Sequence, residues 1–213
     1  MGKSFRNADG RVVVERLIEV IHENRAYLSE IDGKIGDGDH GINMDKGFQM
    51  TKERLEEGMG MSDALKTLGR TLLLEIGGSM GPLYGQFYKA MAKASKDAEE
   101  IDAAVLADMV EAAYEAIRAL GEAKPGDKTL VDTLDPAAAA MRAKVDAGAG
   151  LEESLDAMVA AAEEGWKSTE DMVAQIGRSS RLGERSRGVL DAGATSCYLM
   201  LRSIAETTKE LAG

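Results

Sequence analysis

The sequence has few of the residues that build sheets, form disulfides or span membranes. Among 213 residues there are three prolines and one cysteine, and aromatic residues make up 4%. Scarce aromatics disfavour a β-rich fold, and a single cysteine cannot form an internal disulfide. No uninterrupted apolar run approaches the roughly 18 residues that a membrane-spanning helix needs. The first ten residues also lack the apolar core of a secretory signal, so we expect a soluble, cytoplasmic protein.

Basic charge is also scarce. The chain has 37 acidic residues against 26 lysines and arginines, a net charge of −11. Such a charge repels nucleic acid and anionic lipid, and no basic cluster offsets it. We therefore expect neither nucleic acid nor a membrane as a partner. The 44% of apolar residues can bury a sizeable core, which favours one domain over residues 1–213.

The residues that are abundant favour helices. Ala, Leu, Met, Glu and Lys recur throughout, and apolar residues follow each other at intervals of three and four, as in Val13, Leu17 and Ile21, with Leu28 close to the same face. Ser62 and Asp102 are predicted N-caps. The spacing predicts eight helices, near 11–29, 41–57, 62–76, 82–96, 102–120, 130–146, 151–175 and 189–211.

The connections between these predicted helices alternate in character. Those after the first, third, fifth and seventh helices are EIDGKIGDGDHG, GGSMG, GEAKPGDKT and IGRSSRLGERSRG, whereas the others, EGMGM, KDAEEI and DAGAG, are plain. If consecutive helices pack antiparallel, alternate connections emerge at the same end of a bundle. Glycine in them could simply cap helices, but four such connections at one end favour a ligand site there.

The most informative connection is acidic. Asp32, Asp37 and Asp39 lie within eight residues, and their mutual repulsion is relieved when a hard divalent cation accepts their oxygens. His40 and Asn43 follow at the expected start of a helix, where backbone amides attract anions. The pattern favours a site for magnesium or calcium and phosphate; the alternative is a solvated acidic turn.

Two better-known loops do not fit this segment. The glycines at 36, 38 and 41 spell G-x-G-x-x-G, but a predicted helix precedes them and carboxylates fill the gaps, unlike a dinucleotide-binding turn. An EF-hand starting at Asp37 would need an oxygen ligand where Gly41 stands and a glutamate where Phe48 stands. Neither interpretation is kept.

Five motifs in order carry a family resemblance: D-x4-D-G-D-H-G-x-N at 32–43, G-G-x-x-G-P-L-Y-G at 77–85, P-G-D-K-T at 125–129, G-R-S-S-x-L-G-E-R-S at 177–186 and D-A-G-A-T-S at 191–196. The chain resembles the nucleotide-binding L subunit of dihydroxyacetone kinases over nearly its whole length. No sugar-binding K domain is recognised in these residues, so the chain resembles the free-standing subunit rather than the fused two-domain kinase. The chain departs from the family pattern in two places. Where the family often has G-G-A-S-G-P, this chain has Ser79 followed by Met80, so the hydroxyl is moved by one position. Ala192 stands where proline is frequent.

The resemblance implies an all-α, eight-helix antiparallel up-and-down barrel with a nucleotide at one end. Asp32, Asp37 and Asp39 would bind two Mg²⁺ ions that bridge the phosphates of ADP or ATP. Arg178 is the candidate catalytic cation, and Lys128 is a second candidate for balancing phosphate charge. The residues expected to contact the nucleotide are His40, Gly41, Ile42, Asn43, Gly78, Ser79, Met80, Gly121, Thr129, Leu130, Arg178, Asp191, Ala192 and Gly193.

The implied activity is phosphoryl transfer to a short keto sugar, dihydroxyacetone or a relative such as erythrulose, held on a separate K-type subunit. Two mechanisms stay open: ATP as an exchangeable donor, or ADP as a fixed coenzyme that a phosphotransferase-system protein rephosphorylates. A different class of function is a nucleotide-loaded regulatory module that binds a partner without catalysis. A helical scaffold without any ligand is the remaining alternative.

Overall fold

Nine α-helices account for most of residues 3–121 and 123–213, the part of the chain that the computed structural model describes. Phe5–Arg6 (β1) pairs antiparallel with Glu100–Ile101 (β2), and 3-10 turns lie at Asn7–Asp9, Thr169–Asp171 and Ser179–Ser186. The helices are α1 (Arg11–Glu23), α2 (Arg25–Ile35), α3 (His40–Lys52), α4 (Met61–Glu75), α5 (Met80–Ser95), α6 (Ala103–Leu120), α7 (Val131–Asp146), α8 (Leu151–Ser168) and α9 (Ala192–Ala212).

The helices form a closed ring in which each packs against the next and α1 packs against α9. Their apolar stripes meet inside the ring, where Leu17, Leu68, Phe87, Met141 and Leu201 are all buried. Burying such stripes is what stabilises helices of this length. The predicted all-α up-and-down architecture is therefore confirmed.

The first predicted helix, 11–29, is two helices with a break at Asn24. Its side-chain Nδ2 donates to the carbonyl oxygen of Val20 at 2.8 Å, and this local bond competes with the regular helical pattern. The chain then restarts as α2, which runs to Ile35 rather than ending at 29. Apolar spacing continues across the break, since Leu17, Ile21 and Leu28 are all buried, so periodicity did not reveal it.

Two further predictions about helix ends have different outcomes. Asp102 does cap α6, because its side chain accepts from Val105 N at 2.9 Å. Ser62 does not cap α4, whose N-cap is Gly60; instead Ser62 N donates to Oδ1 of Asn7, 55 residues earlier in the chain. The seventh predicted helix, 151–175, is too long, since α8 stops at Ser168.

The ring has two chemically different ends. Helices α2, α4, α6 and α8 finish, and α3, α5, α7 and α9 begin, at what we call the cleft end; the plain connections 53–60, 96–102 and 147–150 lie at the far end. Four helix N-termini, which carry partial positive charge, thus meet at the cleft end. Across the described residues, no helix combines the length and apolar character needed to cross a membrane.

Candidate functional site

A cleft of about 630 Å³ opens at the cleft end of the ring, within the usual size range of small-molecule sites. Residues from the connections after α2, α4, α6 and α8 all line it, so the four glycine-rich connections do converge as predicted. The lining residues are Asp32, Ile35, Gly36, Asp37, Asp39, His40, Asn43, Leu83, Tyr84 and residues 77–80, 128–130, 176–179 and 191–193.

Three carboxylates stand together in this cleft. Asp32, Asp37 and Asp39 each offer one oxygen, and these oxygens lie within 4.8 Å of one another. Asp32 is in the last turn of α2 rather than in the loop where the sequence placed it. The chain folds back directly over it, since a Cβ on Gly36 would lie 2.4 Å from its Oδ1.

The electrostatics of this cluster suit a divalent cation. Burial, aided by the charge of Asp37, raises the pKa of Asp32. Burial and the neighbouring carboxylates also raise the pKa of Asp39. Burial works in the same direction on Asp37, but the Arg178 guanidinium and a hydrogen bond with Asp39 leave its pKa lowered. Three hard oxygen donors that repel one another fit Mg²⁺, which removes the repulsion on binding.

Arg178 reaches the acidic cluster from the opposite wall. Its guanidinium forms an ion pair with Asp37 although 141 residues separate the two along the chain. The side chain is largely exposed, so it can turn towards a ligand. A planar guanidinium is well suited to phosphate oxygens.

Helices α3 and α5 begin with N-caps that make no capping hydrogen bond of their own. Neither Asp39 nor Ser79 uses its side chain in this way. At α3 the amide of His40 instead donates to Asp32 Oδ2 at 3.3 Å, so the first-turn amides left for a ligand are chiefly those of α5. Two glycines shape the start of α5 for different reasons. Gly78, in the turn before the helix, has φ +71° and open space around it, since a Cβ there would meet nothing within 4 Å. Gly81, in the first turn of the helix, allows close packing, since a Cβ there would lie 2.0 Å from Ile76 O.

The other two helix starts are already occupied by side chains. Thr129 Oγ1 accepts from Val131 N at 3.1 Å at the start of α7. Asp191 Oδ2 accepts from Ala194 N at 2.7 Å at the start of α9. The amides available to an anion are therefore chiefly those of α5.

A buried polar network supports the floor of the cleft. His40 Nε2 lies 3.0 Å and Tyr84 Oη 2.7 Å from Ser196 Oγ, and Ser196 Oγ also lies 3.1 Å from Gly193 O. Burial lowers the pKa of His40 to about 4, so the imidazole is neutral at pH 7. Tyr84 and Ser196 were missed as site residues, although both stand in quoted motifs.

Three residues expected at the nucleotide do not line the cleft. Gly41 is buried where α3 crosses α2, and a Cβ there would lie 2.0 Å from Arg25 O. Ile42 points outwards with 48% of its surface exposed. Gly121 terminates α6 as its C-cap. For Gly41 the structure offers another reason for glycine, namely close helix packing.

Lys128 lies at the cleft wall, but its ammonium is turned away from the cleft. The residue is 1% exposed, and Nζ donates to the backbone carbonyls of Thr169, Met172 and Val189. All three ammonium donors are thereby used. The prediction that Lys128 balances phosphate charge directly is therefore wrong.

The all-α fold and the family match together place the chain in a class of kinase subunits. Residues 34–206 match the family described as the DAK2 domain, and the chain belongs to this family, that of the L subunit of dihydroxyacetone kinase. The predicted resemblance is confirmed.

Two bacterial relatives cover almost the whole chain. The Listeria innocua "PEP-dependent dihydroxyacetone kinase 1, ADP-binding subunit DhaL" is 39% identical over 191 residues, which are 89% of this chain and 90% of the relative. The Escherichia coli "PEP-dependent dihydroxyacetone kinase, ADP-binding subunit DhaL" is 35% identical over 196 residues, 90% and 92% of the two chains.

The fold matches that of a larger enzyme of known structure. The native dihydroxyacetone kinase of C. freundii superposes with a TM-score of 0.71 at 22% identity, over 97% of this chain. A second structure of that enzyme, in complex with AMP-PNP and Mg²⁺, gives 0.69 at 23% identity. The chain spans 36% of the length of the native C. freundii structure, and at this identity the likeness concerns the fold.

Proposed function

We propose that this chain is the nucleotide-binding subunit of a dihydroxyacetone-type kinase. It holds ADP or ATP with Mg²⁺, two ions in our proposal, and transfers a phosphoryl group to a short keto sugar on a separate K-type subunit. The relatives that match it end to end are named ADP-binding subunits, which supports a division of the enzyme into partners.

The observation that carries the proposal is the set of three carboxylate oxygens within 4.8 Å beside the start of α5, which has no side-chain cap. Bound Mg²⁺ neutralises phosphate charge, and phosphoryl transfer depends mainly on positioning and such neutralisation. Asp32, Asp37 and Asp39 hold the metal in this proposal. Acidic side chains alone would repel a nucleotide.

The remaining groups of the cleft have roles that follow from their chemistry. The first-turn amides at Ser79 and Met80 bind phosphate oxygens, and Arg178 balances the charge that builds up during transfer. The apolar side chains of Leu83, Leu130 and Ile176 on the cleft wall suit the nucleotide base. His40 is neutral and orients the floor through Ser196 rather than adding charge.

The donor we propose is a phosphotransferase-system protein that rephosphorylates ADP held as a fixed coenzyme. Two relatives that match about 90% of this chain are named PEP-dependent, which supports this mechanism over exchangeable ATP. The sugar-binding residues belong to the partner in this proposal, so the particular keto sugar is set there.

Native mass spectrometry of freshly purified protein, before and after EDTA, tests the proposal. We expect ADP with Mg²⁺ to be retained and to be released after chelation. An empty protein that takes up ATP only with added Mg²⁺ would indicate the exchangeable-donor mechanism, and one that binds neither nucleotide would refute the site.

A transfer assay separates catalysis from regulation. The nucleotide-loaded chain is mixed with a K-type subunit, a keto sugar and the phosphoryl donor system, and sugar phosphate is measured. We expect sugar phosphate to form. Retained nucleotide without any transfer would instead indicate the non-catalytic regulatory module.

A further inference from the structure

The ammonium of Lys128 is enclosed by backbone carbonyls from a distant part of the chain. Nζ donates to Thr169 O at 2.6 Å, Met172 O at 3.2 Å and Val189 O at 2.5 Å. Burial lowers the pKa of Lys128, and the charge of nearby Asp191 acts against that lowering. Burying an ammonium group costs free energy, and the three hydrogen bonds to carbonyls offset that cost.

The backbone at this position is strained as well. Lys128 has φ +63°, the only positive φ outside glycine among residues 3–121 and 123–213. Such a conformation persists only where the surroundings hold it in place. Here the neighbours do so, since Thr129 N donates to Asp132 Oδ2 at 2.7 Å and Gln175 N donates to Asp127 O at 3.1 Å.

The three carbonyls belong to the two ends of the connection 169–191. Thr169 and Met172 lie where it leaves α8, and Val189 lies just before α9 begins. Gly188 N also donates to Glu170 O at 2.7 Å, so the two ends meet. The ammonium sits at this junction, and the loop between carries Arg178 to the cleft.

We propose that Lys128 is a positioning residue whose buried ammonium fixes the connection 169–191 as a wall of the nucleotide cleft. Without it, three carbonyls lose their donor and the junction opens, so Arg178 and Asp191 are no longer held in place. The ammonium acts through these residues and does not touch the ligand. The inference rests on the proposed function, because it assigns the cleft to a nucleotide.

The test compares Lys128→Met with Lys124→Met. Methionine keeps the length and the apolar stem but removes the charge and the donors. Lys124 is an exposed lysine in the same connection, so its variant is a matched control. Three properties are measured: ADP affinity with Mg²⁺ by calorimetry, Mn²⁺ affinity without nucleotide, and amide hydrogen exchange of residues 172–190 in nucleotide-free protein.

For Lys128→Met we expect ADP affinity to fall at least about tenfold, the size of effect seen when supporting residues around a site are removed. Exchange in 172–190 should speed up by a similar factor. Mn²⁺ affinity should not fall, because Asp32, Asp37 and Asp39 lie outside the connection and Asp37 is freed from its ion pair with Arg178. Lys124→Met should match the wild type. Unchanged ADP affinity or unchanged exchange in Lys128→Met would overturn the proposal.

A second variant covers the case in which Lys128→Met does not fold. Lys128→Gly removes the side chain and relieves the positive φ, leaving a carbonyl cage that a small alkylammonium ion can enter. We expect n-butylammonium chloride, but not sodium chloride, to restore slow exchange and ADP affinity. A folded Lys128→Gly protein that neither salt restores would refute the ammonium's role.

The readouts also separate this proposal from the proposed function. A wild-type chain that binds no ADP refutes the nucleotide site. The exchange measurement in nucleotide-free protein still decides whether Lys128 holds the connection.

Discussion

The two ends of the ring treat their polar groups in opposite ways. At the far end, Asn7 ties the chain together: its Nδ2 lies 2.8 Å from Ser62 Oγ and 3.0 Å from the carbonyl oxygens of both Ser95 and Ala98, and its Oδ1 accepts from Ser62 N at 3.1 Å. One amide side chain thus joins the first residues, α4 and the end of α5. The side chains of Asn7, Ser62 and Ser95 are thus satisfied within the chain.

At the cleft end, a polar network is also satisfied beneath the floor, but three carboxylates are held close together and the start of α5 is left uncapped. Asp32, Asp37 and Asp39 repel one another, and neither Asp39 nor Ser79 caps its helix. These arrangements cost stability in the absence of a ligand and gain it when one binds. The comparison teaches that the far end stabilises the ring, whereas the cleft end is reserved for binding.

The sharpest way to test the comparison is to neutralise the acidic cluster. Asp37→Asn or Asp39→Asn, like the corresponding alanine variants, should reduce phosphoryl transfer at least about a thousandfold, because a metal's charge stabilisation is worth several kcal/mol. Circular dichroism should show an intact helical fold. Asp97→Asn makes the same change at an exposed far-end residue and should leave transfer unchanged; full activity in both cluster variants would exclude the metal assignment.

A substitution at the far end should have the converse effect, lowering stability without changing ligand binding. Asn7→Ala removes the amide that bonds to Ser62, Ser95 and Ala98, so we expect the free energy of unfolding to fall by about 3 kcal/mol. Chemical denaturation measures this change. ADP affinity under native conditions should stay the same, and a large loss of affinity would show that the two ends are not independent.

Asp191 should make the cleft end sensitive to pH. Burial raises the pKa of Asp191 to about 6, above its value in the unfolded chain, so the folded state binds the proton more tightly. The resulting stabilisation is fully present below about pH 4 and is lost as pH rises through about 6.

Denaturation of Asp191→Asn against the wild type measures this contribution. Asparagine keeps the cap of α9, and the wild type should lose about 2 kcal/mol relative to the variant between pH 4 and 7. Asp102→Asn, at the exposed cap of α6, controls for the loss of one negative charge. Parallel pH profiles of wild type and Asp191→Asn would contradict the prediction.

The smallest expected effects come from a matched pair of glycines. A Cβ added at Gly58 at the far end (φ +85°) or at Gly78 in the cleft (φ +71°) would meet nothing within 4 Å. Alanine at either position should cost about 1 kcal/mol of stability from backbone strain. Only Gly78→Ala should also weaken ADP binding, measured by calorimetry; equal affinities would place the phosphates elsewhere.

The sequence predicted what depends on local pattern. Apolar spacing located seven of the eight predicted helices to within several residues and the first as a pair, since each helix buries one stripe in the ring. The alternation of glycine-rich connections predicted their convergence, because antiparallel packing of short-looped helices dictates it. The acidic cluster followed from three carboxylates in one motif.

What the sequence did not reveal depends on contacts between distant residues. The bond from Asn7 to Ser62 and that from Lys128 to Val189 join segments 55 and 61 residues apart, and no local spacing encodes them. Helix α8 ends at Ser168, and Lys128 binds the carbonyls of Thr169 and Met172 just beyond that end. Single polar residues such as Asn24 and Ser196 have their effect through particular hydrogen bonds, to Val20 O and to His40 and Tyr84 respectively. The spacing of apolar residues does not predict such bonds.

If α1 and α2 are counted as one span, the chain crosses the ring from end to end eight times. This even number has a consequence for attaching other proteins. The first described residues and the end of α9 both lie at the far end, since α9 starts at the cleft and runs away from it. Helices of this length measure about 25 Å. A tag, label or neighbouring domain joined next to the first described residues or after α9 therefore starts about 25 Å from the nucleotide cleft, and an extended linker needs about eight residues to reach it. Short fusions leave the mouth of the cleft clear.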